Sequence, residues 1–381
     1  MVKRIKYLPY IISALLISGC THRNITDNRI IIDTGKYQGP IALAKLCSQV
    51  TYIPLETNSA STFGQIQKTR VSNQLIYFLS GYSQEKIIAF DRSTGDHVLT
   101  IDKFGEGPGE YVMATDFSVN PEDSCIYLYS RGLKKIVQYD GSGKFTDEHK
   151  INDYINSFIK TEKGYYFDIE HPNGKRAIVS YTPELSKNNV LFDFKDYSWG
   201  DINGFSNFNG TTSFGASLIN NVYHISETGF EIAYQFDFLG NNIKKDILET
   251  DFRDGIALIQ ELKKSNFAYI AHLVAESEKF LIAIIYYQRA RWIAIYCKKS
   301  GNIKFGNSIF DDINTQSSVY KFSIEFTVLA LKDNTLFLGI EATCLLENNK
   351  DLKRDSKLAE LIKQIDINDN IIVMNCELAE F

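Results

Sequence analysis

The residues Leu75-Ile76-Tyr77-Phe78 begin the pattern that decides the fold, because an aromatic residue inside a short apolar run returns five more times along the chain. The later copies fall at residues 125–128, 164–167, 221–224, 279–282 and 335–338. Their central aromatics stand at positions 77, 127, 166, 223, 280 and 337, with spacings of 50, 39, 57, 57 and 57 residues. A unit of roughly 50 residues has room for four short strands, which is the size of one propeller blade.

A second pattern recurs at a nearly constant distance after the first. It is an aromatic strand end followed by a turn that contains glycine, as in Phe90-Asp91-Arg92-Ser93-Thr94-Gly95. It returns at 139–143 and 236–240 and, more weakly, at 296–301, and its aromatics trail the first set by 13, 12, 13 and 16 residues. That distance is the reach of one hairpin. The two patterns together predict an all-β fold, a six-bladed β-propeller of four-stranded antiparallel blades over residues 50–381, with a five- or seven-bladed ring as the alternative.

The same register predicts the strands around the central axis and the closure of the ring. The inner strands are expected at 66–71, 114–119, 154–159, 212–219, 267–274 and 322–330. Residues 50–55 lie outside the six units, and Pro54 suits only an edge strand, so this segment is the expected strand that closes the ring. Helical spacing predicts a surface helix at 357–365, inserted in the last blade, and a shorter one around Ile256, Ile259 and Leu262.

The amino terminus has the pattern of a bacterial export signal. Three basic residues within 3–6 precede an apolar run at 7–17, which ends in Ile17-Ser18-Gly19-Cys20. The last four residues resemble a lipobox, whose cysteine is lipidated and becomes the first mature residue. We therefore expect a signal peptide at 1–19, lipidation of Cys20, and a tether over 20–49; an ordinary signal peptide with an incidental cysteine is the alternative. The run is too short to span a bilayer, which takes about 20 apolar residues.

Composition and charge further limit the fold class and the possible binding partners of the protein. Aromatic residues make up 13% of the 381 residues, against only 7 prolines and 3 methionines, which favours pleated sheet over helical bundles. Removal of 1–19 takes away three positive side chains and no acidic one, so the formal charge of −5 becomes −8. An acidic chain without a basic, aromatic-rich cluster is not expected to bind nucleic acid.

The cysteines give no metal spacing and no disulfide framework. Five follow Cys20, an odd number, so at least one must be free. A chain of this length can bury a large core without covalent staples.

Two stretches resemble a known family. Tyr52-Ile53-Pro54-Leu55-Glu56-Thr57 and Gly105-Glu106-Gly107-Pro108-Gly109-Glu110-Tyr111 are similar to segments of the six-bladed β-propeller lipoproteins of Gram-negative gut bacteria, which have TolB-like or NHL-like propellers. The resemblance is specific over about 50–144 and thin through the third to fifth blades. It implies the fold and a location in the cell envelope, and it implies no reaction. The residues after Cys20 lack an acidic cluster, so the periplasmic side of the outer membrane is favoured over the cell surface.

Three stretches of the sequence match only part of a known catalytic or binding motif. The glycines at 105–109 lack the spacing and the lysine of a phosphate loop, so a tight turn between blades is favoured. Residues 366–370 begin like a calcium loop, but neither the glycine nor the terminal glutamate follows. Residues 210–215 have one residue too many for a nucleophile elbow. The sequence predicts no metal and no cofactor.

The candidate site residues are therefore chosen by their expected position in the ring. The polar residues of the inner strands most able to face the channel are Lys68, Asp116, Asn156, His272 and Glu325. Candidates in rim loops are Glu110, Tyr111 and Trp199. Each of these side chains has an alternative role in packing or in hydrogen bonding within the core.

The sequence favours a noncatalytic function. We expect a monomeric binding or scaffold module, anchored to the membrane by its lipid, for an extracytoplasmic glycan, peptide or partner protein. A rigid disc offers its rim loops and central mouth for recognition. The alternative is a metal-assisted hydrolase, lactonase-like, with Asp116, Asn156 and Glu325 among its ligands.

Overall fold

The protein is a ring of six four-stranded antiparallel blades. The computed structural model describes residues 28–37, 39–81, 85–171, 176–193, 204–215, 218, 220–226, 229–248, 250, 255–315, 327–347 and 349–381. Within them the inner strands of the six blades touch one another in cyclic order, and the last returns to the first. The predicted six-bladed propeller is thereby confirmed.

The strands follow the chain in simple order, three before the ring and then blade by blade. The first three are β1 (Arg29–Ile31), β2 (Ile41–Ala42) and β3 (Cys47–Pro54). Blade I has β4 (Ile66–Val71), β5 (Leu75–Ser80), β6 (Lys86–Asp91) and β7 (His97–Ile101). Blade II has β8 (Ala114–Val119), β9 (Ile126–Ser130), β10 (Lys135–Tyr139) and β11 (Phe145–Lys150). Blade III has β12 (Tyr154–Thr161), β13 (Gly164–Glu170), β14 (Arg176–Tyr181) and β15 (Lys187–Asp193).

The second half of the ring carries the helices. Blade IV has β16 (Phe205–Phe208), β17 (Thr211–Gly215), β18 (Asn221–Ser226) and β19 (Gly229–Asp237), followed by α1 (Lys245–Leu248) and α2 (Gly255–Lys264). Blade V has β20 (Tyr269–Glu276), β21 (Phe280–Tyr287), β22 (Ala290–Cys297) and β23 (Ile303–Gly306), and β24 (Ile309–Phe310) follows it. Blade VI has β25 (Thr327–Lys332), β26 (Thr335–Ile340) and β27 (Ile372–Leu378), with α3 (Ala342–Glu347) and α4 (Lys357–Leu361) inserted before β27.

The core lies between the faces of neighbouring blades. One apolar cluster joins Tyr77 and Leu79 of blade I to Phe117 and Leu128 of blade II. Middle strands such as β21 are therefore covered on both faces, and seven of its eight residues are buried. This double coverage is why the strands appear in the sequence as apolar runs without alternation.

Blade VI is closed by a strand from the other end of the chain. β3 pairs antiparallel with β27 as the outer strand of the blade, as predicted for 50–55, and Pro54 lies on that edge. A disulfide joins Cys47 of β3 to Cys376 of β27, with 5.5 Å between their Cα atoms. The spacing of the cysteines along the chain did not predict this pair. Gly95 packs on the closing strand so tightly that a Cβ there would lie 2.1 Å from the Pro54 carbonyl oxygen.

The segment before the closing strand also packs on the ring. β1 adds to blade IV in parallel with β19, and β2 pairs in parallel with β24. Ile30 and Ile32 are buried against blades IV and V. The part of the predicted tether that the structure describes is thus in contact with the ring, and the folded unit begins before residue 50.

One predicted strand is wrong in its position. The inner strand of blade IV is β16, and residues 212–215 of the predicted 212–219 belong to the second strand, β17. Tyr223 accordingly lies on the third strand, whereas Tyr77, Tyr127 and Tyr166 lie on second strands. The cause is a short hairpin turning at Asn209 and Gly210, both with positive φ, which adds a strand before the repeated aromatic.

Both predicted helices are present. Ser356 caps the first turn of α4 by accepting a hydrogen bond from the Ala359 amide, and a 3-10 turn over Ile362–Gln364 continues it. The shorter helix is α2, and α3 is an additional one. In the described part of the chain, no helix combines the length and apolarity needed to cross a bilayer.

Candidate functional site

The inner strands of all six blades enclose one central cavity of about 680 Å³. It passes along the ring axis and reaches the turns that follow the inner strands, such as 120–122 and 161–163. This volume lies in the range of small-molecule sites, which are about 300–1,000 Å³. Since it is built by every blade, the cavity is the candidate site that the fold itself creates. We call it the channel.

The channel is basic, although the chain as a whole is acidic. Among the described residues that line it there are six basic side chains and three acidic ones: Lys68, Arg70, Lys160, Lys163, Arg291 and Lys332, and Asp116, Glu122 and Glu162. The formal charge of the whole chain is −5. The excess of positive charge at the axis is therefore a feature of the fold, because the composition of the chain is not basic.

Asp116 belongs to a buried arrangement that joins three blades. Its Oδ1 accepts hydrogen bonds from Arg70 Nη2 of blade I at 2.8 Å and from the Phe117 amide at 2.8 Å. Its Oδ2 accepts from the Phe158 amide of blade III at 3.0 Å. We call Asp116, Arg70 and the amides of Phe117 and Phe158 the Asp116 junction. Because both carboxylate oxygens are engaged by protein donors, Asp116 holds inner strands together and is not poised as an open metal ligand.

Lys160 lies beside the channel with its charge over aromatic rings. The ammonium nitrogen is 4.9 Å from the centre of the Tyr165 ring and donates to the Thr161 carbonyl oxygen at 2.7 Å. Burial lowers the pKa of Lys160. The side chain is thus fixed by blade III and is less free to meet a ligand than an unpaired lysine.

Three groups from two blades meet on another wall of the channel. Lys68 comes from β4 of blade I, and His272 and Arg291 come from β20 and β22 of blade V. Burial, together with the nearby charges of Lys68 and Arg291, lowers the pKa of His272 to about 4. His272 is therefore neutral near pH 7, and the two cations beside it lack a carboxylate partner among the described residues. We call these three residues the cationic cluster.

A second buried carboxylate, Glu276, lies between blades IV and V. Its oxygens accept hydrogen bonds from four side chains, Ser213, His224 (Nε2, 2.9 Å), Tyr234 (Oη, 3.1 Å) and Lys298 (Nζ, 2.6 Å). Burial opposes ionisation of Glu276, but the hydrogen bonds and the Lys298 charge outweigh it and lower the pKa of Glu276 to about 2. We call these five residues the Glu276 junction.

The predicted channel residues have different positions. Lys68, Asp116 and His272 line the channel, whereas Asn156, at a bulge of β12, is not among its lining residues. Glu325 lies outside the described residues, so it cannot be placed beside the others. No group of three or more His, Cys, Asp or Glu side chains suited to a metal occurs in the described part of the chain.

The loop candidates have structural partners. Glu110 accepts a hydrogen bond from the Gly107 amide at 2.8 Å and fills the space beside Gly105. Tyr111 is fully buried, and its hydroxyl donates toward the carbonyl oxygens of Glu85 and Ile101. Both residues thus hold the turn between blades I and II in place. Trp199 and Cys20 lie outside the described residues.

Sequence reasoning missed Arg291 and the Glu276 junction. Arg291 comes from a middle strand, β22, which was not searched because inner strands were expected to supply the channel. Glu276 was outside the predicted inner strand 267–274 by two residues. A search for charged residues at strand ends would have found Glu276, which ends β20, and Lys298, which follows β22 of the same blade.

Comparisons with known proteins agree with this architecture. A family model described as "Domain of unknown function (DUF4934)" matches residues 27–377. The crystal structure of a protein described as a "Putative exported protein" from Bacteroides fragilis is similar with a TM-score of 0.75 at 16% identity, over 92% of this chain and 99% of that one. A member of the DUF4221 family from Bacteroides vulgatus is similar with a TM-score of 0.53 at 11% identity, over 88% and 98%. No curated protein matches in sequence.

Proposed function

Since the chain belongs to the family described as DUF4934, whose description names no activity, we propose that it is a noncatalytic binding module whose ligand occupies the channel. The observation that carries this proposal is the single cavity of about 680 Å³ to which every blade contributes. Its walls come from the rigid inner strands, and a preformed site spares the ligand the cost of ordering the protein. A glycan, a peptide end or a segment of a partner protein would enter from the face of the ring.

The side chains of the channel suit binding better than hydrolysis. Asp116, the acidic candidate at its wall, already accepts three hydrogen bonds. His272 is neutral and faces two cations, without a carboxylate partner among the described residues to orient it as a base. A site of this kind can hold a ligand by hydrogen bonds and charge, and its described residues include no activated nucleophile.

The test of this proposal is to block the channel. Purified protein is screened by thermal shift against neutral and acidic oligosaccharides and short peptides, and any ligand that raises the unfolding midpoint is tested on a Thr327→Trp variant. Thr327 is an exposed channel residue at the start of β25, so an indole there fills space without disturbing the core. The matched control is Thr146→Trp, on the exposed outer strand β11.

We expect the midpoint shift to vanish in Thr327→Trp and to persist in Thr146→Trp. A ligand that stabilises both variants equally would place the site elsewhere on the disc and overturn the channel proposal.

We also propose that the module works outside the cytoplasm, anchored by a lipid on Cys20 to the outer membrane and facing the periplasm. The basis is the lipobox-like ending at Cys20 and the Cys47–Cys376 disulfide, since disulfides persist mainly in oxidising compartments. The similar protein from Bacteroides fragilis carries the word "exported" in its description, which agrees with this location.

Fractionation of cells tests the anchor. Cys20→Ala should move the protein from the membrane fraction to the soluble fraction, while Cys125→Ala should leave it on the membrane. Detergent partitioning of Cys20→Ala that matches the wild type would contradict lipidation.

A further inference from the structure

We infer that the cationic cluster of Lys68, His272 and Arg291 binds the acidic group of an anionic oligosaccharide, carboxylated or sulfated. The inference rests on the proposed function and assigns its ligand a chemical class.

Lys68 and Arg291 both lie near His272, and neither has a carboxylate partner within salt-bridge distance in the described part of the chain. Elsewhere Arg70 pairs with Asp116, Lys135 with Glu148 at 2.8 Å, and Lys298 with Glu276 at 2.6 Å. A folded protein has little reason to gather uncompensated like charges in a cavity, because each raises the cost of the other. An anion between them removes that cost when it binds.

The residues of the cationic cluster lie near one another because closure of the ring brings blades I and V to either side of blade VI. Lys68 lies in blade I and Arg291 in blade V, with β25 of blade VI between their inner strands. The charged side chain that β25 adds to the channel lining, in its described range Thr327–Lys332, is Lys332 at the far end of the strand. Within the described residues, no acidic group is therefore placed to neutralise the cluster from the intervening blade.

The rest of the lining favours a sugar as the carrier of the acidic group. Besides apolar residues, ten hydroxyl or amide side chains belong to the described lining, among them Gln67, Thr69, Asn120, Thr161, Asn207 and Thr212. Tyr166 of blade III and Phe205 of blade IV add two aromatic residues to it. Short donors and acceptors with a few aromatic faces match the hydroxyls and apolar faces of a sugar ring.

The pKa of His272 can report directly on whether an anion binds in the cationic cluster. Burial and the charges of Lys68 and Arg291 lower its pKa to about 4, so an anion placed among the three should raise it. The experiment follows the His272 ring by NMR across pH with four probes: trigalacturonate, a sulfated disaccharide, neutral maltotriose and tetraglutamate. The signal is assigned with His272→Gln.

We expect trigalacturonate or the sulfated disaccharide to raise the pKa of His272 by one unit or more, and maltotriose to leave it unchanged. Lys68→Met and Arg291→Met should each weaken binding of the active sugar about tenfold. Each should also raise the pKa of His272 without ligand, which reports on the cluster even if a variant binds nothing. The control Lys144→Met, at an exposed turn, should behave as the wild type.

The remaining outcomes are equally decisive. Tetraglutamate that binds as tightly as the active sugar would replace the sugar with an acidic peptide. Maltotriose that shifts channel resonances as strongly as the acidic sugars would overturn the anionic class and leave the binding module standing. Failure of both acidic sugars to move the His272 titration would overturn the inference, while the blocking experiment with Thr327→Trp judges the proposed function separately.

Discussion

Two buried carboxylates tie neighbouring blades together beside the channel, and they do so with different partners. In the Asp116 junction, two of the three donors are backbone amides and the third is an arginine. In the Glu276 junction, all four donors are side chains, including a histidine, a lysine and a tyrosine. Asp116 is fully buried, and Glu276 is 7% exposed.

The two sets of donors tie neighbouring blades together in different ways. In the Asp116 junction two donors belong to the backbone of inner strands, so the carboxylate joins the main chains of blades II and III directly and adds the Arg70 side chain of blade I. In the Glu276 junction all four donors are side chains, and the pKa of Glu276 is lowered to about 2, so its contribution to the contact between blades IV and V is present at neutral pH and is lost as the pH falls toward 2.

The largest effect is expected from Asp116→Ala. The change leaves the Phe158 amide and the Arg70 guanidinium without their acceptor, and breaking a buried pair in this way costs about 3–5 kcal/mol. Urea denaturation at pH 7 measures the free energy of unfolding. Glu106→Ala, at an exposed loop position, should cost less than about 0.5 kcal/mol. Equal unfolding midpoints for Asp116→Ala and the wild type would show that the junction does not hold the blades.

The next effect is expected from Glu276→Gln and depends on pH. The pKa of Glu276 is lowered to about 2 in the folded protein from an ordinary value of 4.5. Its stabilisation is therefore complete above pH 4.5 and is lost as the pH falls toward 2, a difference of about 3 kcal/mol. The variant should be less stable than the wild type at pH 7 and should approach it near pH 2.

The control for this prediction is Glu231→Gln, an exposed strand position on β19. It should leave the pH dependence of unfolding as in the wild type. Parallel stability curves for Glu276→Gln and the wild type from pH 7 to pH 2 would contradict the predicted dependence on Glu276.

The smallest effect is expected from Tyr234→Phe. It removes one donor from Glu276 and keeps the ring beside Tyr296, so the cost is about 0.5–1.5 kcal/mol. The same substitution at Tyr286, whose ring stacks on Tyr269, serves as the comparison and should cost less. Thermal unfolding at pH 7 resolves the two. A loss for Tyr234→Phe as large as that for Asp116→Ala would contradict the sharing of Glu276 among four donors.

The blade count could be predicted from the sequence because blades repeat, and a repeat leaves a period. The predicted position of the inner strand was wrong in blade IV, because the short hairpin of β16 and β17 interrupts the regular spacing of the repeat. The closing strand was predictable from Pro54, which is a local property. The site was less predictable, since Lys68 and Arg291 belong to blades I and V, with three blades between them in the sequence, and come near each other only when the ring closes. The pairing of Cys47 with Cys376, 329 residues apart, likewise depends on the ring and leaves no local pattern.

The disulfide between Cys47 and Cys376 turns most of the chain into a covalent circle. A peptide bond cut in any hairpin turn between them opens the circle at one place and releases no fragment, because both pieces remain joined through the sulfurs. The cut chain keeps its blade contacts, with new ends at the nick and the old ends fastened together. A single nick in such a turn therefore leaves a chain whose connectivity is that of a circularly permuted ring.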